Sequence, residues 1–129
     1  MNYWAVTPMA KPRMTRADKW KQRDCVLRYR AYKDELRLRN VQVPEGGVRI
    51  TFTIPMPASW SKKKRAEMTG RAHQQRPDID NLHKGLLDAV LKEDCRVWCH
   101  WIRKVWGESG GITIESMTEL KLQQQREAA

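Results

Sequence analysis

The sequence centres on the segment Arg76-Pro77-Asp78-Ile79-Asp80-Asn81-Leu82-His83-Lys84-Gly85-Leu86-Leu87-Asp88. Pro77 removes a backbone donor and introduces a helix, and Asp78, Asp80 or Asn81 can cap the free N–H groups of its first turn. From Asp80 onward, charged side chains recur at four-residue steps and share one helical face. The opposite face is apolar and contains Leu82, Leu86, Ala89 and Val90. The segment therefore predicts an amphipathic helix with carboxylates crowded at its start.

The crowded carboxylates have two explanations. Asp78 and Asp80 project to one side while the chain is still extended. Like charges at close range are costly unless one carboxyl is protonated or a divalent ion neutralises the pair. Mg²⁺ takes oxygen ligands, often one or two carboxylates together with waters and phosphate oxygens, so the pair is a candidate Mg²⁺ seat with Mn²⁺ as the alternative. A capping aspartate followed by a solvated face explains the same residues equally well, and Asp-x-Asp also occurs in sugar-nucleotide transferases.

The composition indicates one domain that binds a polyanion. A chain of 129 residues suits a single domain, and 25 Lys and Arg against 15 Asp and Glu give a formal net charge of +10. Nucleic acid is favoured over an anionic membrane, because no basic amphipathic helix with an aromatic insertion face stands out. A pure binder gains nothing from carboxylates placed beside phosphate, whereas a metal-dependent phosphodiesterase needs them.

The same composition predicts where the protein works. No apolar run approaches the length of a membrane span, and no charged-then-apolar leader is visible, so we expect neither membrane insertion nor export. The three cysteines show no framework spacing, which favours a reducing cytoplasm. We therefore expect a cytoplasmic protein.

Periodicity and turn residues predict the order of the elements. Strands are expected over residues 3–7, 48–54, 97–105 and 112–115, the last two joined by a hairpin loop over 107–111. Besides the central helix, helices are expected over residues 17–39 and after Ser61, which can cap the second of them. Residues 119–129 are polar and glutamine-rich and predict a frayed helix or a tail.

Two basic segments precede the carboxylates. The loop over residues 9–16 carries Lys11, Arg13 and Arg16, and a solvated N-terminal arm explains it when it is taken alone. The run over residues 62–65 lies just before the central helix, where it would bring phosphate-seeking groups near a metal. We interpret this second segment as a nucleic-acid contact.

Other combinations of residues predict no further cofactor. Cys95, Cys99 and His100 match no paired Cys-x-x-Cys spacing, so zinc is not expected. No glycine-rich phosphate loop or dinucleotide fingerprint is present, so we expect no nucleotide cofactor. His83 and His100 are interpreted as structural.

The six tryptophans are assigned mainly to packing, because most fall on strand or helix positions. The sequence predicts half-buried side chains at Trp98, Trp101 and Trp106. Trp60, beside the basic run, is kept as the candidate base contact.

Asp94 could add a carboxylate from a different element. The acidic turn around Asp94 follows the central helix and can lead the chain back toward the sheet. A helix cap needs no third carboxylate from another element, so Asp94 near the sheet would favour a metal site over simple capping.

Taken together, these motifs resemble the RusA family of Holliday junction resolvases, small endonucleases often encoded by phages and prophages. The resemblance rests on Pro77-Asp78-Ile79-Asp80-Asn81-Leu82 followed by Lys84, then Leu87-Asp88-Ala89, then Glu93-Asp94. It implies a single compact α/β (α+β) domain with a mixed sheet of about four strands and two main helices. It also implies a homodimer, acting in the cytoplasm of a bacterial host if phage-encoded, that cuts branched DNA with Mg²⁺ in recombination and repair.

The resemblance also implies roles for individual residues. Asp78, Asp80 and Asp94 would bind the metal, Lys84 would be the essential basic residue, and Asp88 matches a further acidic position of the catalytic set. The residues implied in DNA binding, together with the displaced basic run, are Lys11, Arg13, Arg16, Lys62, Lys63, Lys64, Arg65 and Arg76. The gap from Asp88 to Asp94 is shorter than in members with an extra turn.

Two other functions fit the same residues. A non-catalytic DNA-binding accessory protein of recombination or packaging, with the same fold, would bind DNA without cutting it. A nuclease for flap or branched DNA in general would cut forks as readily as four-way junctions.

Overall fold

The structure is a computed structural model, and it describes residues 1–13, 15–16 and 23–118. The four strands are β1 (Asn2–Trp4), β2 (Gly46–Pro55), β3 (Cys99–Gly107) and β4 (Gly111–Ser116). The three α-helices are α1 (Asp24–Leu38), α2 (Lys62–Met68) and α3 (Ile79–Val90), and a 3₁₀ helix covers Asp94–Arg96. The predicted α+β fold with a mixed four-stranded sheet is confirmed.

The strands lie in the order β1-β4-β2-β3. β2 pairs in parallel with β3 and antiparallel with β4, and β1 pairs antiparallel with β4. Parallel neighbours need a crossover connection, and the segment that carries α2 and α3 provides it between β2 and β3. The candidate carboxylates therefore lie on the crossover that joins the two parallel strands.

The predicted hairpin between the last two strands is wrong, because β2 lies between β3 and β4. The chain leaves β3 at Gly107 and enters β4 at Gly111, which is enough chain to pass over the end of one strand. Gly107 O accepts a hydrogen bond from Met56 N at 3.0 Å, so this turn is closed against the end of β2.

The core lies between one face of the sheet and helices α1 and α3. Alternate residues of β2, Val48, Ile50 and Phe52, belong to the buried cluster, as the clean alternation predicts. The cluster also contains Ile112 and Ile114 from β4, Tyr29, Tyr32 and Leu36 from α1, and Leu82, Leu86, Leu87 and Ala89 from α3. The apolar face predicted for the central helix is therefore the face that holds α3 on the sheet.

Several predicted boundaries are shifted. The opening strand ends at Trp4 instead of residue 7, and Val6 N donates back to Trp4 O. The strand expected from residue 97 begins at Cys99, because the 3₁₀ helix occupies the turn before it. α1 begins at Asp24 within the described residues, and residues 17–22 of the predicted long helix lie outside them, as does the tail predicted over residues 119–129.

The predicted burial of two tryptophans is also wrong. Trp106 is buried, but Trp98 is 76% exposed and Trp101 is 57% exposed. β3 is the last strand in the sheet order, with a bridge from Ala72 to Val105 on its outer side. The register places Trp101 level with Arg49, on the face turned away from the buried Ile50 and Phe52. No helix in the described part of the chain is long and apolar enough to span a bilayer.

Candidate functional site

Two carboxylates at the start of α3 are exposed and have no partner among the described residues. Asp78 is the N-cap residue, yet its side chain makes no capping hydrogen bond, and Asp80 lies in the first turn. Both residues are exposed, and neither side chain has a hydrogen bond or ion pair to another residue of the described ranges. The helix dipole favours negative charge at this end. The carboxylates therefore lie at the start of the helix, and their oxygens remain available to a ligand because they do not cap it.

Residues 9–11 of the N-terminal basic loop pack on α3, so this part of the loop is not a solvated arm. Lys11 Nζ forms an ion pair with Asp88 Oδ2 at 2.8 Å, and both side chains are partly buried. Gly85 permits this approach, because a Cβ there would overlap Met9 O and lie 3.0 Å from Lys11 N. Asp88 thus anchors the loop, a role that the periodicity of the helix did not predict.

The buried side of Gly85 is also fixed from α1. Tyr29 Oη donates to Gly85 O at 2.7 Å, and burial, together with the charge of Asp88, raises the pKa of Tyr29 to about 12. This phenol remains a neutral donor at ordinary pH, so α1, α3 and the N-terminal loop meet at one glycine.

Two open cavities adjoin at the start of α3. One, of about 430 Å³, is lined by Lys11, Pro12, Arg13, Asn81 and Lys84. The other, of about 540 Å³, is lined by Arg76, Pro77, Asp78 and Asn81. Asn81 lines both, so cationic side chains flank the carboxylate end of the helix on two sides. The sequence suggested Asn81 only as a cap, and its shared position in the two cavities was missed.

A lysine on β3 fixes the segment that leads into α3. Lys104 Nζ donates to Gln75 O at 2.6 Å and to Pro77 O at 2.7 Å. Sequence reasoning missed this contact. The signal available in the sequence was a lysine between Ile102 and Trp106 in the alternation of the predicted strand, on the face that in the structure turns toward the helices.

Asp94 is not gathered with the other two aspartates. It lies in the 3₁₀ helix that follows α3 in the chain, whereas Asp78 and Asp80 lie at the start of α3. Within the described ranges, no group of three or more His, Cys, Asp or Glu side chains could hold a metal ion. The oxygens of Asp78 and Asp80 suit Mg²⁺ as a hard cation. The three-aspartate ligand set stays a prediction.

The basic run on α2 is partly tied into the fold. Ser61 caps the helix by accepting from Lys64 N at 3.2 Å, as predicted. Arg65 forms an ion pair with Glu108 at 3.0 Å, and Lys64 Nζ lies 4.2 Å from the ring centre of Trp60. The other two lysines of the run, Lys62 and Lys63, are exposed.

Two histidines connect α3 to β3. His83 Nε2 lies 2.9 Å from His100 Nδ1, and His100 Nε2 lies 2.6 Å from Pro44 O. Because a carbonyl only accepts, His100 Nε2 is the donor there, and a neutral His100 accepts from His83 through Nδ1. Burial, reinforced by the neighbouring His100, lowers the pKa of His83. These contacts support the structural interpretation of both histidines.

Comparison with known proteins identifies the family. No curated protein and no solved structure matches the chain. The family model described as endodeoxyribonuclease RusA matches residues 4–116. The matched region contains all three helices, the Asp78 and Asp80 pair, and Asp94. Because the match covers most of the 129 residues, the chain belongs to the RusA family of endodeoxyribonucleases.

Proposed function

We propose that this protein is a Mg²⁺-dependent endodeoxyribonuclease that resolves four-way DNA junctions, with Asp78 and Asp80 as metal ligands at the start of α3 and Asp94 as the third ligand that the family resemblance implies. The family implies Holliday-junction-resolving activity on branched DNA. The observation that carries the metal-dependent part is the pair of open carboxylates at the start of α3, beside cavities lined by cationic side chains. Mn²⁺ is the alternative ion.

The residues around these carboxylates suit phosphate chemistry. A bound divalent ion would polarise a phosphoryl oxygen and lower the pKa of a water ligand. Lys84 lies one turn after Asp80 on the same helical face and lines the cavity that Arg13 also lines. From there its ammonium group would stabilise negative charge on the scissile phosphate or hold that phosphate in place. Asp88 would act through Lys11, by keeping the N-terminal loop against α3.

Binding of the DNA backbone would fall to the basic residues. Arg13, Arg16 and Arg76 are exposed, and together with Lys84 they surround the start of α3 or lie in the loop beside it. Lys62, Lys63, Lys64 and Arg65 would extend this contact along α2. Contacts of this kind position the backbone and carry little sequence information.

A homodimer would place two such sites on one junction, which needs a cut in each of two strands. We propose this assembly as part of the same function. Light scattering of the purified protein with and without junction DNA would give its mass, and a monomer in both conditions would remove the dimer from the proposal.

The central test is cleavage of a synthetic four-way junction by Asp80→Asn. This substitution keeps the shape of the side chain but removes its charge. We expect wild-type protein to cut the junction with Mg²⁺ and not with EDTA. Asp80→Asn should lose at least about 100-fold in cleavage rate, which corresponds to roughly 3 kcal/mol of transition-state stabilisation, and still bind the junction. Cleavage at the wild-type rate would show that the site is assigned wrongly.

A non-catalytic DNA-binding accessory protein is the second candidate. It is favoured by the finding that the described residues contain no assembled group of three metal-binding side chains. It predicts junction binding without Mg²⁺-dependent cleavage and indifference to Asp78→Asn. Including fork, flap and duplex substrates in the same assay separates a junction resolvase from a general nuclease for branched DNA.

A further inference from the structure

The local fold holds the side chain of Trp98 in an exposed position. It is the residue before β3, and 76% of its surface is accessible. No aromatic ring of the described residues stacks on it, whereas Trp60 and Trp106 pack against each other at 4.8 Å. Such a large apolar side chain is normally at least half covered. Its exposure therefore needs an explanation beyond packing.

Two glycines on β2 make room for the indole. Gly46 pairs with Cys99 and Val48 pairs with His100, so Gly47 is an extra residue, and it has φ +70°. This is the geometry of a β-bulge, which bends a strand and redirects neighbouring side chains. A Cβ on Gly46 would overlap the five-membered ring of Trp98. The indole thus lies against bare backbone on one side.

The backbone and charges around Trp98 hold this arrangement. Trp98 N donates to Glu45 O at 2.9 Å, and Arg96 Nε pairs with Glu45 Oε1 at 2.8 Å. The 3₁₀ turn before it is closed by Val97 N donating to Asp94 O at 3.1 Å. The backbone of Trp98 and the side chain of Arg96 are therefore both tied to Glu45, and the Cα of Trp98 lies no more than about 14 Å from that of Asp94.

We propose that Trp98 stacks on an unpaired or unstacked nucleobase beside the branch point of the DNA. This inference rests on the proposed function for its substrate. An aromatic face accepts any base, but only one that is not already stacked between two neighbours in a duplex. The ring would therefore favour branched DNA over linear duplex, while the basic residues bind both alike. Trp98, and not Trp60, is then the base contact.

The surroundings favour a nucleobase over a second copy of the chain. A stable protein interface has a contiguous apolar centre depleted in charged residues. The backbone of Trp98 contacts Glu45, which pairs with Arg96, and Trp101, the other tryptophan that is exposed among the described residues, is in register with Arg49. Isolated rings among charged groups, on a chain of net charge +10, suit a polyanion that carries aromatic bases.

The experiment measures binding in EDTA, so that its outcome does not depend on catalysis. Fluorescence anisotropy gives the affinity of each protein for a four-way junction and for a linear duplex of the same sequence. We expect Trp98→Leu to weaken junction binding about 10-fold and duplex binding less than about twofold. Trp98→Phe should recover most of the loss. Trp101→Leu, the matched control, should leave the ratio of the two affinities unchanged.

Two further measurements identify the contact as stacking. Gly46→Ala should displace the indole without removing it and should lower the junction-to-duplex ratio in the same direction. A 2-aminopurine base at the branch point should be quenched by wild-type protein and not by Trp98→Leu, with circular dichroism confirming that both are folded.

Three results would overturn the proposal: an equal loss on junction and duplex, an unchanged ratio, or a change of oligomeric state in Trp98→Leu, which would assign the ring to a second copy. A wild-type protein that cuts nothing, yet prefers junctions through Trp98, would remove the catalytic proposal alone.

Discussion

Gly85 shows how one residue without a side chain positions the candidate site. In the interior of an exposed helix, replacing Gly by Ala gains about 1 kcal/mol. At Gly85 the new methyl group would meet the backbone of the loop that carries Lys11, and Tyr29 holds the same turn from the other side. The space that a glycine leaves here is therefore filled by main chain, which cannot rotate away as a side chain could.

We expect Gly85→Ala to lower the free energy of unfolding by about 1–3 kcal/mol, as overpacking does, and not to raise it. Urea unfolding measures the difference. Asn81→Ala, on the exposed face of the same helix, is the control and should be neutral or slightly stabilising. A Gly85→Ala protein more stable than wild type would show that the loop is not held against α3.

At the scale of elements, α3 is joined to β3 through the histidine pair as well as through its apolar face. Burial lowers the pKa of His83, so the folded protein disfavours the charged form relative to the unfolded chain. The unfolded chain then binds more protons as the pH falls through the ordinary range of histidine, near 6.5. His73, whose pKa burial and Lys104 also lower, acts in the same direction.

Stability should therefore be complete above about pH 6.5 and should decline as the pH falls below it. Urea unfolding at pH 7.5 and pH 5.5 measures this loss in wild type. In His83→Gln, which cannot take up a proton, the loss should be smaller, and the remainder belongs to His73 and the other titrating groups. An equal loss in wild type and variant would mean that His83 carries none of the pH dependence.

The elements also show which parts of the fold could be predicted from the sequence. The clean alternation of β2 and the apolar stripe of α3 are local consequences of burying one face, and both were predicted correctly. The hairpin was predicted wrongly, because insertion of β2 between β3 and β4 is a non-local pairing that no turn residue reports. The crossover between β2 and β3 decides which strands are neighbours in the sheet, and the loop between β3 and β4 does not.

The site follows the same division between local and non-local information. The open carboxylates of Asp78 and Asp80 follow from a motif within one turn, and the sequence identified them. Whether Asp94 joins them depends on the path of the chain after α3, and the exposure of Trp98 depends on the bulge at Gly46 and Gly47. The docking of the N-terminal loop could have been suspected from a glycine in the middle of a helix.

At the scale of the whole molecule, the basic residues are not equivalent. Arg65 is paired with Glu108 and Lys64 lies over Trp60, whereas Lys62 and Lys63 are exposed and have no ion pair within the described ranges. A cation already engaged by the fold releases fewer counterions from DNA than a free one. The electrostatic part of DNA binding should therefore depend more on Lys62 and Lys63 than on Lys64 and Arg65, which the fold already engages.

The salt dependence of junction binding tests this distribution. The logarithm of the binding constant falls linearly with the logarithm of salt concentration, with a slope of about −0.9 per phosphate neutralised. Replacing both Lys62 and Lys63 with Gln should make the slope shallower by up to about 1.8 and should weaken junction and duplex binding alike, because phosphate contacts carry no shape preference of their own. Arg37→Gln, an exposed cation at the end of α1, is the matched control and should leave the slope unchanged. A slope unaffected by the double substitution would place the DNA path away from α2 and confine it to the cavities beside α3.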